Sequence, residues 1–120
     1  MKKRLLIIED DPIWAEVLAR YAAAVGLTTR VVVSPAQAIE AVDDWSPHAL
    51  CLDMLLAGET GMALLNELRS HDDLAALPVV VCSNVPLDAA LLRPFGVWAV
   101  LDKSRMTPAE VRRVFAEAAA

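Results

Sequence analysis

The chain has 120 residues, 57% of them hydrophobic, with 11 Lys and Arg against 16 Asp and Glu and a net charge of −5. That length suits one domain with a real core, and 22% charged residues is too few for a disordered chain. The longest apolar runs, Leu5–Ile8 and Leu77–Cys82, fall far short of the ~18 residues of a membrane span.

Met1-Lys2-Lys3-Arg4 imitates the basic start of a secretory signal, yet the apolar stretch after it stops at Glu9, so a cytoplasmic protein is expected. Basic residues cluster only there and at Arg112-Arg113, so direct nucleic-acid binding is not expected. Cys51 and Cys82 sit inside apolar runs with no CxxC spacing and read as buried, reduced thiols.

Leu5-Leu6-Ile7-Ile8 reads as a strand buried on both faces. Asp11-Pro12 opens a helix, with Asp as the cap and Pro at the first position. Trp14, Val17, Leu18, Tyr21 and Val25 follow at helical spacing until Gly26 stops it, and Trp14 reads as a packing residue. Thr28–Val33 is a β-branched strand, and Ser34-Pro35-Ala36-Gln37 is a capping box for a second helix to about Asp43. Trp45 reads as packing, and His48 and His71 have no spacing that suits a metal. Ala49–Leu52 is a strand ending at Asp53, Met54–Thr60 a loop, and Gly61–Ser70 a helix. Pro78–Cys82 is a buried strand, and Leu87–Arg93 is a short helix at best before Pro94 and Gly96. Trp98–Leu101 is the last strand. Thr107-Pro108-Ala109-Glu110 caps a final helix with Val111, Val114, Phe115 and Ala118 inward.

Five strands alternating with five helices predict a parallel sheet covered on both faces by right-handed crossovers. Such folds bind ligands just beyond the carboxyl ends of the strands. The residues there are Glu9-Asp10-Asp11, Asp53, Ser83 and Lys103. Two carboxylates ~4 Å apart repel by roughly 4 kcal/mol at an effective dielectric near 20. Mg²⁺ is the cation that best suits such carboxylates. With a lysine and a hydroxyl added, the set suits a phosphoryl group.

On these residues the chain resembles the response-regulator receiver domains of two-component signalling, the chemotaxis-regulator-like family. The resemblance is carried by Leu5-Leu6-Ile7-Ile8-Glu9-Asp10-Asp11, by Cys51-Leu52-Asp53-Met54-Leu55-Leu56 with Gly58 and Gly61, by Val79-Val80-Val81-Cys82-Ser83 and by Val100-Leu101-Asp102-Lys103. It covers essentially residues 1–120, read as a single receiver domain. It implies a flavodoxin-like (βα)5 doubly wound sheet of strand order 2-1-3-4-5. By resemblance, Asp53 is the phosphoacceptor, Glu9 and Asp10 are the acidic pair, and the Leu55 backbone carbonyl completes the Mg²⁺ ligands. Ser83 donates to the phosphoryl group, Lys103 pairs with it, and Asp11 caps the helix. The implied partners are a sensor histidine kinase or histidine phosphotransfer protein, and a downstream protein reached through the Trp98 region. The implied chemistry is phosphoryl acceptance and self-dephosphorylation, without turnover of a separate substrate.

Departures from the family pattern are expected to matter. Val100 stands where the family usually has an aromatic, and Ser104 where a proline follows the lysine in a cis bond. Ala57 replaces a loop proline, Asn84 a small residue, and the stretch from Ser83 to Lys103 is short and contains Pro86 and Pro94. Leu55 and Val85 are apolar where a hydrolytic water would pass, so self-dephosphorylation is expected to be slow. Two other functions fit parts of this pattern. A pseudo-receiver would bind a partner regardless of phosphorylation. A Mg²⁺-dependent phosphohydrolase would want an Asp-x-Asp after the first strand, which Glu9-Asp10-Asp11 does not offer.

Overall fold

The computed structural model describes residues 2–56 and 59–120. Five strands form the main sheet: β1 (Arg4–Ile8), β2 (Thr28–Val32), β3 (Ala49–Leu52), β4 (Val79–Ser83) and β5 (Val97–Asp102). All are paired in parallel, in the order β2-β1-β3-β4-β5 expected for a doubly wound sheet. The helices are α1 (Pro12–Ala24), α2 (Pro35–Trp45), α3 (Gly61–Arg69), α4 (Ala89–Leu92) and α5 (Pro108–Ala118).

The strands build two core layers because successive side chains point to opposite faces. Leu6, Ile8, Leu50, Leu52, Val79 and Val81 pack with α2, α3 and α4. Leu5, Ile7, Ala49, Cys51, Val80 and Cys82 pack with α1 and α5, where Phe115 is fully buried. Cys51 and Cys82 are free and buried, as their apolar setting predicts. The neighbouring Cys82 thiol, together with burial, pushes the Cys51 thiol well up.

Local chemistry sets the helix ends. The Asp11 carboxylate accepts from the amides of Ile13 and Trp14, so Asp11 is a cap, as expected. Ser34 Oγ accepts from Gln37 N, while Gln37 Oε1 takes the Val33 amide, which ends β2 one residue earlier than the β-branched run suggests. α2 continues to Trp45 and stops at Ser46, which adopts the left-handed conformation (φ 51°). Thr107 Oγ1 accepts from Glu110 N at the start of α5.

The structure corrects three expectations. The buried stripe of α1 is Ala15, Leu18 and Ala22, with Trp14, Val17, Tyr21 and Val25 only half-buried, so small alanines bring the helix close to the sheet. The loop after Asp53 contains a two-stranded antiparallel ribbon, Leu55–Leu56 against Glu59–Thr60. Gly61 follows it because a Cβ there would meet Met54 Sδ at 2.9 Å. Ala57 and Gly58 lie outside the described residues. The fourth helix is short, as expected: it has four residues, is capped by Asp88, and passes into a 3₁₀ turn at Arg93–Phe95. Finally, β5 is longer than expected and irregular. Val79 opposes Val97 and Val80 opposes Ala99, so Trp98 is the extra residue of a bulge on an edge strand and is 47% exposed.

Among the described residues no helix is long and apolar enough to cross a membrane. Trp45 packs on the α2-side core with Arg30 stacked 5.1 Å from its ring centre, consistent with a packing role. His48 Nδ1 accepts from the Arg4 amide and His71 faces Glu67 at 3.3 Å; neither belongs to a metal-like cluster among the described residues.

Candidate functional site

The sheet's own ladder assembles the site. Hydrogen bonding continues one residue past the strands: Glu9 N donates to Val32 O, Asp53 N to Ile8 O and Lys103 N to Ser83 O. The residues after β1, β3 and β5 are thereby fixed on one edge beside Ser83, the last residue of β4. Glu9 is 1% exposed, Ser83 0%, Lys103 6% and Asp53 8%; these four are the buried polar residues among those described. Asp10 is half-buried at the rim.

Lys103 Nζ makes an ion pair with Glu9 Oε1 and a second, at 3.3 Å, with Asp53 Oδ2. The other oxygens are held by backbone. Glu9 Oε2 accepts from Asp11 N at 3.2 Å, and Asp53 Oδ1 from Leu55 N at 3.0 Å. Ser83 Oγ accepts from Val85 N at 3.3 Å. Burial pushes the Glu9 carboxyl above its usual range, against the pull of Lys103 and of the Asp11 amide. Burial alone would lower Lys103, but Glu9 and Asp53 together hold its ammonium above the ordinary lysine value.

Glu9, Asp10 and Asp53 each bring a carboxylate oxygen within 4.8 Å of the others. An all-oxygen set of this charge, partly buried and built on rigid strand ends, fits a hard divalent cation. Leu55 is tied to Asp53 through its amide and is 52% exposed. Asn84 and Val85 are exposed next to Ser83. Among the described residues no peptide bond is cis, so Lys103–Ser104 is trans. Ser104 instead donates both its amide and its hydroxyl to Asp102 Oδ1, which holds that carboxyl below the usual range.

The sequence reading missed one residue. Trp14 joins neither core layer among the described residues; its ring lies under the Lys103 ammonium, 5.1 Å from Nζ to ring centre. The available signal was Pro12, which sets the first turn of α1 and puts Trp14 beside the strand ends.

Comparison with known proteins decides the family. The family described as response regulator receiver domain matches residues 5–109. The chain belongs to that family. The receiver domain is 32% identical over 81 residues to the DNA-binding response regulator MtrA of Mycolicibacterium smegmatis, covering 68% of this chain and 34% of that protein. It spans 12% to 34% of the length of the first curated relatives it matches. A sensor protein from Polaromonas sp. JS666 superimposes with a TM-score of 0.81 at 27% identity, over 99% of this chain and 100% of that one. A CheY-like receiver domain from Methylobacillus flagellatus shares the fold, with a TM-score of 0.83 at 21% identity, over 98% and 99% of the two chains.

Proposed function

We propose that this receiver domain accepts a phosphoryl group on Asp53 from the phosphohistidine of a sensor kinase or phosphotransfer protein, and signals by binding a downstream protein. The observation that carries the reading is the meeting of Asp53 with Lys103, Glu9 and Asp10 at one edge of the sheet. Glu9, Asp10, Asp53 and the Leu55 carbonyl would hold Mg²⁺, which when bound supplies charge neutralisation for a phosphoryl group in transfer.

The protein's own groups do the rest. Asp53 presents a carboxylate oxygen as the nucleophile, its other oxygen held by Leu55 N. As the new O–P bond forms, the histidine nitrogen leaves with its bonding electrons. Lys103 then turns from Asp53 Oδ2 to the phosphoryl oxygens, and the Ser83 hydroxyl donates a hydrogen bond to one of them. The chain acts as acceptor and slow self-hydrolase only. Output through the exposed Trp98 bulge is the reading its position favours.

A second reading, a module that binds its partner without phosphorylation, is favoured by Val100. It is half-buried against the α2-side core, where it offers no aromatic side chain to move. Borohydride reduction after treatment with Mg²⁺ and acetyl phosphate separates the two. An acyl phosphate at Asp53 is reduced to homoserine at position 53. Unmodified Asp53 in the peptide would refute the proposed function.

A further inference from the structure

We propose that Trp14 is a positioning residue that holds the Lys103 ammonium over Asp53 through the face of its indole. The inference rests on the phosphoryl-acceptor reading for its consequence, but not for the contact itself.

An ammonium has three N–H donors. Two partners of Lys103 are carboxylate oxygens, on Glu9 and Asp53. The remaining side of the cation is covered by the Trp14 ring at 5.1 Å, inside the ~6 Å reach of a cation–π contact. The lysine side chain is only 2% exposed, so this contact forms where water does not screen it. A packing role does not account for Trp14, because it joins neither hydrophobic layer among the described residues. Its place is set by the Asp11 cap and Pro12, which start α1 directly beside Glu9 and Asp10.

The ring differs from a third carboxylate in one way that matters. It attracts the ammonium without carrying a negative charge, so it does not repel an incoming phosphoryl group. Lys103 can release Asp53 and turn toward phosphoryl oxygens while one side stays covered. Without the ring, water reaches the ammonium and its position loosens.

The test uses the full chain and two readouts. Its lysines are Lys2, Lys3 and Lys103, so NMR of ¹³C-lysine-labelled protein isolates the Lys103 ε-methylene signal, and Lys103→Met identifies it by deletion. In wild type that signal lies upfield of Lys2 and Lys3 through the ring current. In Trp14→Leu it returns toward them, and in Trp14→Phe it stays shifted. A wild-type signal among those of Lys2 and Lys3 would overturn the contact. The second readout is the initial rate of phosphorylation by acetyl phosphate with Mg²⁺. Trp14→Leu is expected to slow it about 3- to 30-fold, the range of a partly desolvated cation–π contact. Trp14→Phe recovers most of the loss. Trp14→Leu at the wild-type rate, or an equal loss in a Lys103→Met background, overturns the positioning role. No phosphoryl addition to wild type refutes the proposed function instead, and the NMR signal alone then decides whether Trp14 positions Lys103.

Discussion

Lys103 and Glu9 are 94 residues apart in sequence and form a buried ion pair, with side chains 2% and 1% exposed. Desolvating each charge costs several kcal/mol, which only a well-placed partner offsets. The pair is possible because β1 and β5 both end at the same edge of the sheet, on either side of β3 and β4. Lys103 opposes the upward push that burial gives the Glu9 carboxyl.

Removing the cation leaves Glu9 buried without it. In metal-free buffer Lys103→Met is expected to lose about 3–5 kcal/mol of stability, measured by urea unfolding. Adding Glu9→Gln to that variant should recover a large part of the loss. Simple addition of the two single effects would show that the pair is not coupled.

The carboxylate cluster makes a metal prediction. Mg²⁺ at ten times its dissociation constant should stabilise wild type by about 1.4 kcal/mol, since it binds the folded chain and not the unfolded one. Asp10→Asn should abolish that increment. An unchanged Mg²⁺ response in Asp10→Asn would remove Asp10 from the site.

His48 gives a pH dependence away from the site. Burial, with Arg4 and Lys3 nearby, holds its imidazole below the ordinary value of 6.5, and its Nδ1 accepts a hydrogen bond from the Arg4 amide. Below about pH 6.5 the unfolded chain takes up a proton that the folded chain resists. This contribution to stability is therefore full above pH 6.5 and is lost as pH falls through the lower folded value. Urea midpoints at pH 7.5 and 5.5 should drop further in wild type than in His48→Gln. Equal drops would contradict the argument.

Once formed, the acyl phosphate should last. Leu55 and Val85 stand two residues after Asp53 and Ser83, 52% and 38% exposed, and neither has a polar group to orient an attacking water. The phosphorylated chain, freed of donor, is expected to decay with a half-life of minutes or longer by intact mass. A half-life of seconds would contradict this.

The fold was legible because β1, β3 and β4 are built on continuous apolar runs and the helices carry caps written in single residues: Asp11, Ser34 and Thr107. The strand-end residues were legible too, since a parallel sheet puts residues such as Glu9, Asp53 and Lys103 on one edge. Three features were not. The inward face of α1 went to Ala15 and Ala22, because close packing on a sheet favours small residues over the larger periodic ones. The Trp98 bulge depends on register between β4 and β5, which no local pattern encodes. Trp14 reads as a core residue at helical spacing, and only the tertiary structure shows a buried cation against it.

The central claim is that Asp53 is a working phosphoacceptor, and intact mass tests it most directly. Wild type and Asp53→Asn are each incubated with acetyl phosphate, with and without Mg²⁺. The account predicts one added phosphoryl group on wild type with Mg²⁺, and none on the variant or without metal. An unmodified wild type that still binds Mg²⁺, or equal addition to Asp53→Asn, would contradict it.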